Sequence, residues 1–307
     1  MKAKRIIALI LALAAAAALA ACAPRTGSPS GKALLTVTDM RGREVSFDKT
    51  VERVVALTAA DCEILFALGA GDLVVGRGEY CDYPAEVLSL PSVESGSDTN
   101  VEQIIALKPD VVIMSSMAQT KEQISALENA GFKVVVTEAP DIAAVYDAIR
   151  LLGAVVGKEK EAAGLIDSMR ATFDAVTAKV PSGSGKTVYF EVSPLQYGLY
   201  TAGSGTFMDE LAAMLGMKNV FGDLQGWQQV SEEQVIERNP DFIVTTTMSF
   251  EGSIPAVEEV LSRKGWDGIT AIKNRNVYNA DSNAITRPGP RLADAVSELY
   301  NFFYGNS

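Results

Sequence analysis

The sequence predicts an α/β protein built of two similar α/β lobes with mainly parallel sheets, joined by one long, rigid α-helix. Three observations predict it. Short Val/Ile runs alternate with helical stretches in both halves of the chain, the pattern of parallel strands covered on both faces. A long amphipathic stretch lies between the halves. A segment of the first half also recurs in the second at a constant offset of 131 residues.

Leu35 to Thr38 and Val45 to Phe47 flank Asp39-Met-Arg-Gly-Arg43, which reads as a β-hairpin with Gly42 in its turn. Val54-Val-Ala56 is a short buried strand, and Ala59 to Leu68 is a helix with Gly69 just past its end. Leu73-Val-Val75, Val111 to Met114 and Val134-Val-Val136 are further strands, with a helix from Lys121 to Asn129 stopped by Gly131. From Asp141 the pattern changes. One helix runs to Val156, and a second from Glu159 to Lys179 places Ala162, Leu165, Ile166, Met169, Phe173 and Val176 on one stripe. After the loop Pro181-Ser-Gly-Ser-Gly185, a second α/β set begins. It has strands at Thr187 to Val192 and Phe242 to Thr245, a helix from Thr206 to Leu215 ended by Gly216, and a last helix from Arg291 to Phe303. The division that follows is an N-terminal lobe over 35–157, a connecting helix over 158–181 and a C-terminal lobe over 182–307. A helical connector allows only modest relative motion of the lobes.

The N-terminus decides the compartment. Lys2, Lys4 and Arg5 precede an apolar run from Ile6 to Ala21, the order of a bacterial secretion signal over 1–21. The run is shorter than the roughly 20 residues of a comfortable membrane span. Leu19-Ala-Ala-Cys22 resembles a lipobox, in which Cys22 is lipidated and becomes N-terminal after cleavage; an ordinary signal peptide with a chance Cys is the plainer reading. Residues 22–34 have the composition of a flexible tether. Without the three basic residues of the signal, the formal charge of −11 falls to −14, which excludes a basic nucleic-acid footprint and leaves an acidic, soluble surface. The chain contains no His, which removes Ser-His-Asp and Cys-His catalysis and nearly all zinc sites. Cys62 and Cys81 complete the count of three cysteines. In an oxidising compartment they either pair or stay as two free thiols.

The internal repeat is Asn100-Val-Glu-Gln-Ile-Ile-Ala-Leu-Lys-Pro-Asp-Val-Val-Ile113 against Ser231-Glu-Glu-Gln-Val-Ile-Glu-Arg-Asn-Pro-Asp-Phe-Ile-Val244. Asn100 and Ser231 cap a helix, and Gln103 and Gln234 stand at the third helical position to complete a capping box. Pro109 and Pro240 end the helix, and a strand follows. Glu102 and Glu233 share the second helical position, where each offsets the helix dipole. As a pair on equivalent edges of two lobes they are also candidate docking charges for a two-fold partner.

Over residues 35–307 the chain resembles the class III periplasmic binding proteins, which have a rigid helical backbone and serve importers of vitamin B12, iron–siderophores and haem. Glu52-Arg-Val-Val-Ala-Leu57 after the hairpin, Leu107-Lys-Pro-Asp-Val-Val-Ile113, the long helix and Arg287-Pro-Gly-Pro-Arg291, in this order, carry the resemblance. It implies that Glu102 and Glu233 meet arginines of an ABC permease dimer coupled to a cytoplasmic ATPase. It also implies membrane contact through the N-terminal lipid only, no nucleic acid, no resident cofactor or metal, and a monomer. Within the family the segments are most similar to cobalamin binders. Glu79-Tyr-Cys-Asp-Tyr-Pro84 puts Tyr80 and Asp82 at the cleft, and Gly226-Trp-Gln-Gln-Val-Ser231 puts Trp227 on the opposite lip. Tyr200, Asp281 and Arg287 complete the set of ligand-binding residues that the resemblance implies. Aromatic faces from both lobes suit a flat macrocycle. The cargo is thus a metal chelate: cobalamin or a related corrinoid, with a ferric siderophore, for which Arg287 is a charge partner, or Tyr-ligated haem as alternatives. Tyr80 and Trp227 read otherwise as ordinary packing. Arg287 and Arg291 read otherwise as caps of the last helix or as partners of a carboxylate.

Two motifs are decoys. Gly183-Ser-Gly-Lys-Thr187 has the tail of a P-loop but follows a helix and opens a strand, the reverse of a phosphate loop. Gly203-Ser-Gly-Thr206 lacks the spacing of a nucleophile elbow, and Ser204 or Thr206 caps the next helix. An enzyme is not expected. The rival classes are a carboxylate-based hydrolase in the cleft, for which no acid pair stands out, and a purely adhesive lipoprotein.

Overall fold

Alternating polar and apolar residues build the first element. β1 (Leu35–Thr38) and β2 (Glu44–Phe47) pair antiparallel, Val37 opposite Val45, and Gly42 turns the chain at a φ of 74° that a side chain would resist. The computed structural model describes residues 33–96, 99–116, 118–183, 185–247 and 254–305, so Cys22, the signal and nearly all of the tether lie outside the described residues.

The first sheet is wholly parallel, in the order β5-β4-β3-β6-β7. Its strands are β3 (Val54–Ala56), β4 (Val74–Gly78), β5 (Ser92–Val93), β6 (Val111–Ser115) and β7 (Lys133–Thr137). Helices α1 (Ala59–Ala67), α2 (Val101–Leu107), α3 (Lys121–Asn129) and α4 (Ile142–Val155) accompany them. The continuous apolar runs of β3, β6 and β7 are buried on both faces.

The second sheet is parallel too, in the order β10-β8-β12-β13. It comprises β8 (Thr187–Glu191), β10 (Lys218–Asn219), β12 (Phe242–Thr245) and β13 (Val277–Asn279). Strands β9 (Tyr200–Ala202) and β11 (Trp227–Gln229) form a separate antiparallel ribbon. The helices are α6 (Phe207–Met214), α7 (Glu232–Arg238), α8 (Ala256–Leu261), α9 (Thr270–Lys273), α10 (Ser282–Ile285) and α11 (Leu292–Tyr304).

The repeat is structural. Both repeat helices end on a left-handed residue, Lys108 at φ 48° and Asn239 at φ 44°, before the proline. In each sheet the strand that follows pairs in parallel with the sheet's first strand, Val111 against Val54 and Phe242 against Val188. The capping differs in one detail. Ser231 and Gln234 form the expected reciprocal box, and Asn100 accepts from the Gln103 N–H. The Gln103 side chain, however, accepts from Glu94 N–H at 2.9 Å, because the Asn100 N–H is already satisfied by the Glu94 carbonyl at 3.0 Å.

Between the sheets runs α5 (Glu159–Thr177), 19 residues, or about 28 Å. Ala162, Ile166, Met169, Phe173 and Val176 form its buried stripe. It packs on α4 of the first half and α11 of the second. From Leu34 on the chain holds together as one unit, and its main core runs from the first sheet through α5 to the second. Among the described residues no helix is long and apolar enough to cross a membrane.

Candidate ligand-binding cleft

Parallel strands of both sheets release their loops at their carboxyl ends, where open α/β folds bind ligands. On the first sheet these ends lead to Thr58, to Tyr80–Pro84 and to Ser115 and Thr137. On the second they lead to Tyr197 and Tyr200, and to Asp281–Arg287. The loops meet at a seam. A cavity of about 220 Å³ is lined by Thr58, Asp61, Ser115 and Thr137 from one side and by Thr286, Arg287 and Pro288 from the other.

An ion network ties this seam. Glu63 of α1 is buried and accepts from Arg291 Nε at 2.9 Å and Nη2 at 2.7 Å, and from Arg287 Nη1 at 2.9 Å. Arg287 also donates to Asp82 Oδ1 at 2.5 Å and to the Tyr80 carbonyl at 3.2 Å. Asn283 Nδ2 adds a bond to Asp82 at 3.1 Å. Asp281 caps α10 by accepting from Asn283 N–H at 2.9 Å and pairs with Arg291 at 3.4 Å. The Arg291 guanidinium stacks over the Tyr83 ring at 4.3 Å. Burial works against the charge on Asp82, but the hydrogen bond and charge of Arg287 outweigh it and hold the carboxyl below its ordinary range. Asp82, Asp281, Arg287 and the Tyr80 backbone are therefore gathered into one clamp. Arg287 and Arg291 neutralise a carboxylate, and neither side chain caps α11. Sequence reasoning missed Glu63. Its signal was the second of two acids, after Asp61, set between Cys62 and Ile64-Leu65 in a helix that is otherwise apolar.

Tyr80 and Tyr83 belong to the clamp segment, and further aromatic side chains stand on the second half of the chain. Tyr80, Tyr83, Tyr197 and Tyr200 are 68%, 47%, 74% and 40% exposed, and each follows the carboxyl end of a sheet strand. Trp227 is half-buried and rests on Phe207 at 5.5 Å between ring centroids. It lies opposite Ala202 in the β9–β11 ribbon, and Tyr200 lies opposite Gln229, so strand alternation puts Trp227 and Tyr200 on the same face. Among the described residues no hydrogen bond or ring contact joins this ribbon to the clamp.

Asp61 is the other group that the sequence did not single out. Its carboxylate accepts from the Thr58 hydroxyl and, at 3.2 Å, from the Thr137 hydroxyl. Burial without a cationic partner pushes its pKa up to about 6, against the pull of those two hydroxyls. A larger groove of about 870 Å³ runs beside the clamp, lined by Phe66, Tyr83, Leu90, Arg291 and Asp294 among others. Among the described residues no group of three or more His, Cys, Asp or Glu side chains could hold a metal ion.

Glu102 and Glu233 are both exposed on the caps of α2 and α7. Its own backbone N–H and the Ser231 hydroxyl hold the Glu233 carboxyl below its usual range. Its neighbour Glu232 accepts from the buried Trp266 indole at 2.9 Å, which leaves Glu233 as the outward acid of that cap. Cys62 and Cys81 are both buried thiols.

A family model described as periplasmic binding protein matches residues 54–284. The chain belongs to the periplasmic binding protein family. This binding protein is 36% identical over 306 residues, 95% of each chain, to the uncharacterized ABC transporter substrate-binding lipoprotein YvrC of Bacillus subtilis (strain 168). It is 30% identical over 253 residues to the vitamin B12-binding protein of Salmonella choleraesuis (strain SC-B67), covering 81% of this chain and 89% of the relative. Among solved structures it is similar to a possible iron-binding, periplasmic solute-binding protein of Staphylococcus epidermidis ATCC 12228. That match has a TM-score of 0.71 and 31% identity, and covers 83% of this chain and 100% of the other. The class III architecture expected from the sequence is thus the architecture present.

Proposed function

We propose that this is the extracytoplasmic, lipid-anchored substrate-binding component of an ABC importer, and that it carries cobalamin or a related corrinoid between its lobes by binding, not catalysis. The reading is carried by the exposed tyrosines that follow strand ends of both sheets, together with half-buried Trp227 on the same ribbon face as Tyr200. A flat macrocycle presents two large faces, and aromatic side chains meet such faces with much apolar area and little lost freedom. Arg287 weighs in the same direction. Its guanidinium is already held by Glu63 and Asp82, so it is not a free cation for an anionic siderophore.

Titration of the purified protein with cyanocobalamin, cobinamide, haemin and a ferric hydroxamate, followed by tryptophan fluorescence, tests this reading. Trp266 is fully buried, so quenching should come from Trp227. Saturable quenching by the corrinoids is expected. Trp227→Phe, which lacks the reporting indole and is read by titration calorimetry, should lower corrinoid affinity roughly tenfold, the scale of an aromatic contact of about 1.4 kcal/mol. Saturation by haemin or the hydroxamate alone would transfer the assignment to iron cargo.

Delivery follows from the repeat. Glu102 and Glu233 present one charge from each half, the arrangement that a two-fold permease dimer would read. The double variant Glu102→Arg, Glu233→Arg should bind corrinoid normally and fail to support uptake. Normal uptake would remove these two residues from docking.

A further inference from the structure

The two cysteines have neighbours that the proposed function leaves unused. Cys62 lies on α1 between Asp61, which lines the small seam cavity, and Glu63, which holds both clamp arginines. Cys81 lies between Tyr80, whose carbonyl accepts from Arg287, and Asp82, which pairs with the same guanidinium. Both side chains are fully buried. The Cys81 thiol donates to the Ala56 carbonyl at 3.8 Å, Cys62 and Cys81 share one buried cluster, and Cys81 is the side chain that acts most strongly on the Cys62 thiol. The two sulfurs are therefore neighbours beneath the clamp, one on the helix that supplies Glu63 and one on the loop that supplies Asp82.

We propose that in the exported protein Cys62 and Cys81 are joined as a disulfide, and that this bond braces the first-lobe half of the clamp by linking the backbones that carry Glu63 and Asp82. The chemistry is thiol–disulfide exchange with an oxidised dithiol carrier of the extracytoplasmic space. One sulfur–sulfur bond forms between Cys62 and Cys81. The carrier's own sulfur–sulfur bond breaks, and the two electrons and two protons that leave the cysteines convert the carrier to its dithiol. The exchange belongs to the stage before α1 closes over β4. In the folded protein the hydrogen bond to Cys81, together with burial, pushes the Cys62 thiol well above its ordinary range, so almost no thiolate is presented to an oxidant. The proposal depends on the extracytoplasmic location given above and not on the identity of the cargo.

The test uses the full chain, exported from a bacterial host. Cells are quenched in acid, and the protein is denatured without reductant in N-ethylmaleimide and digested with trypsin. The peptides spanning 54–77 and 78–121 should run as one species that separates only after reduction. Recovery of both peptides alkylated would overturn the proposal, and this readout needs no variant to fold. A second readout tests the brace. Hydrogen exchange in the 79–82 backbone should speed up severalfold in the Cys62→Ala, Cys81→Ala protein, or in wild-type protein reduced during refolding. Equal exchange with and without the bond would overturn the bracing role. Corrinoid binding enters neither measurement, so failure of the cargo assignment and failure of the disulfide are separable.

Discussion

Two buried glutamates of this molecule carry similar partners and hold different things. Glu191, at the end of β8, is fully buried and takes a two-point grip from Arg263 at 2.6 and 2.8 Å, while Glu259 holds the same arginine at 2.6 Å. Every member of that network belongs to the second half. Glu63 has a comparable grip from Arg291 and a further bond from Arg287, but its cations come from the other half of the chain. The outer acids, Asp82 and Asp281, are about half in solvent, with side-chain exposures of 45% and 51%. The same chemistry is thus used once to stiffen a lobe and once to close a seam. Charge pairs with a solvated rim rearrange at less cost than pairs sealed in a core.

The comparison can be broken most sharply at Arg263. Arg263→Met leaves Glu191 buried without its cation, with only the Thr245 hydroxyl as partner, and unfolding in urea should show a loss of roughly 3–5 kcal/mol. A loss below about 1 kcal/mol would mean that the sealed network does not stiffen its lobe. Asp61 supplies the next largest effect, because it is a buried carboxyl with no cation at all. Its folded pKa of about 6 lies above the ordinary 3.8, so the folded chain takes up a proton that the unfolded chain has released. The contribution of Asp61 to stability should be greatest below pH 4 and fall as pH rises through 6, by on the order of 2–3 kcal/mol. In Asp61→Asn that component of the pH dependence should disappear, seen as the difference between the two urea-stability profiles. The smallest effect is expected at the seam itself. In Glu63→Gln, Arg287 keeps Asp82 and Arg291 keeps Asp281, so the cost in urea should be about 1–2 kcal/mol. The same variant should show a larger radius in X-ray scattering, and an unchanged radius would mean that the seam does not depend on Glu63.

What the sequence made legible was local. The Val runs of β3, β6 and β7, the helix that starts at Asp141 and the stripe of α5 all stand where their residues predict, because burial on both faces and helical period are written within a few neighbours. The decoy Gly-Ser-Gly-Lys-Thr stretch leads into β8 as expected, and Thr206, not Ser204, caps α6. The short strands β9, β11 and β13 were not seen. Each has three residues and mixed polarity, too little for a period to show. The clamp was hidden for another reason. Arg287 and Glu63 are 224 positions apart, and no local rule pairs them. The last helix, Leu292–Tyr304, stands within one residue of its expected bounds, with Arg291 at its N-cap position.

The order of elements along the chain has a consequence for export. A secreted polypeptide reaches the outside N-terminus first, so every strand of the first sheet, complete by Thr137, has emerged before β8 begins at Thr187. The early half can therefore assemble while the late half is still crossing. Its Glu63 must nevertheless await Arg287 and Arg291, which arrive among the final residues of the chain. A product truncated before them would keep a sheet with an unanswered acid at its edge, a mark by which quality-control proteases could tell finished molecules from interrupted ones.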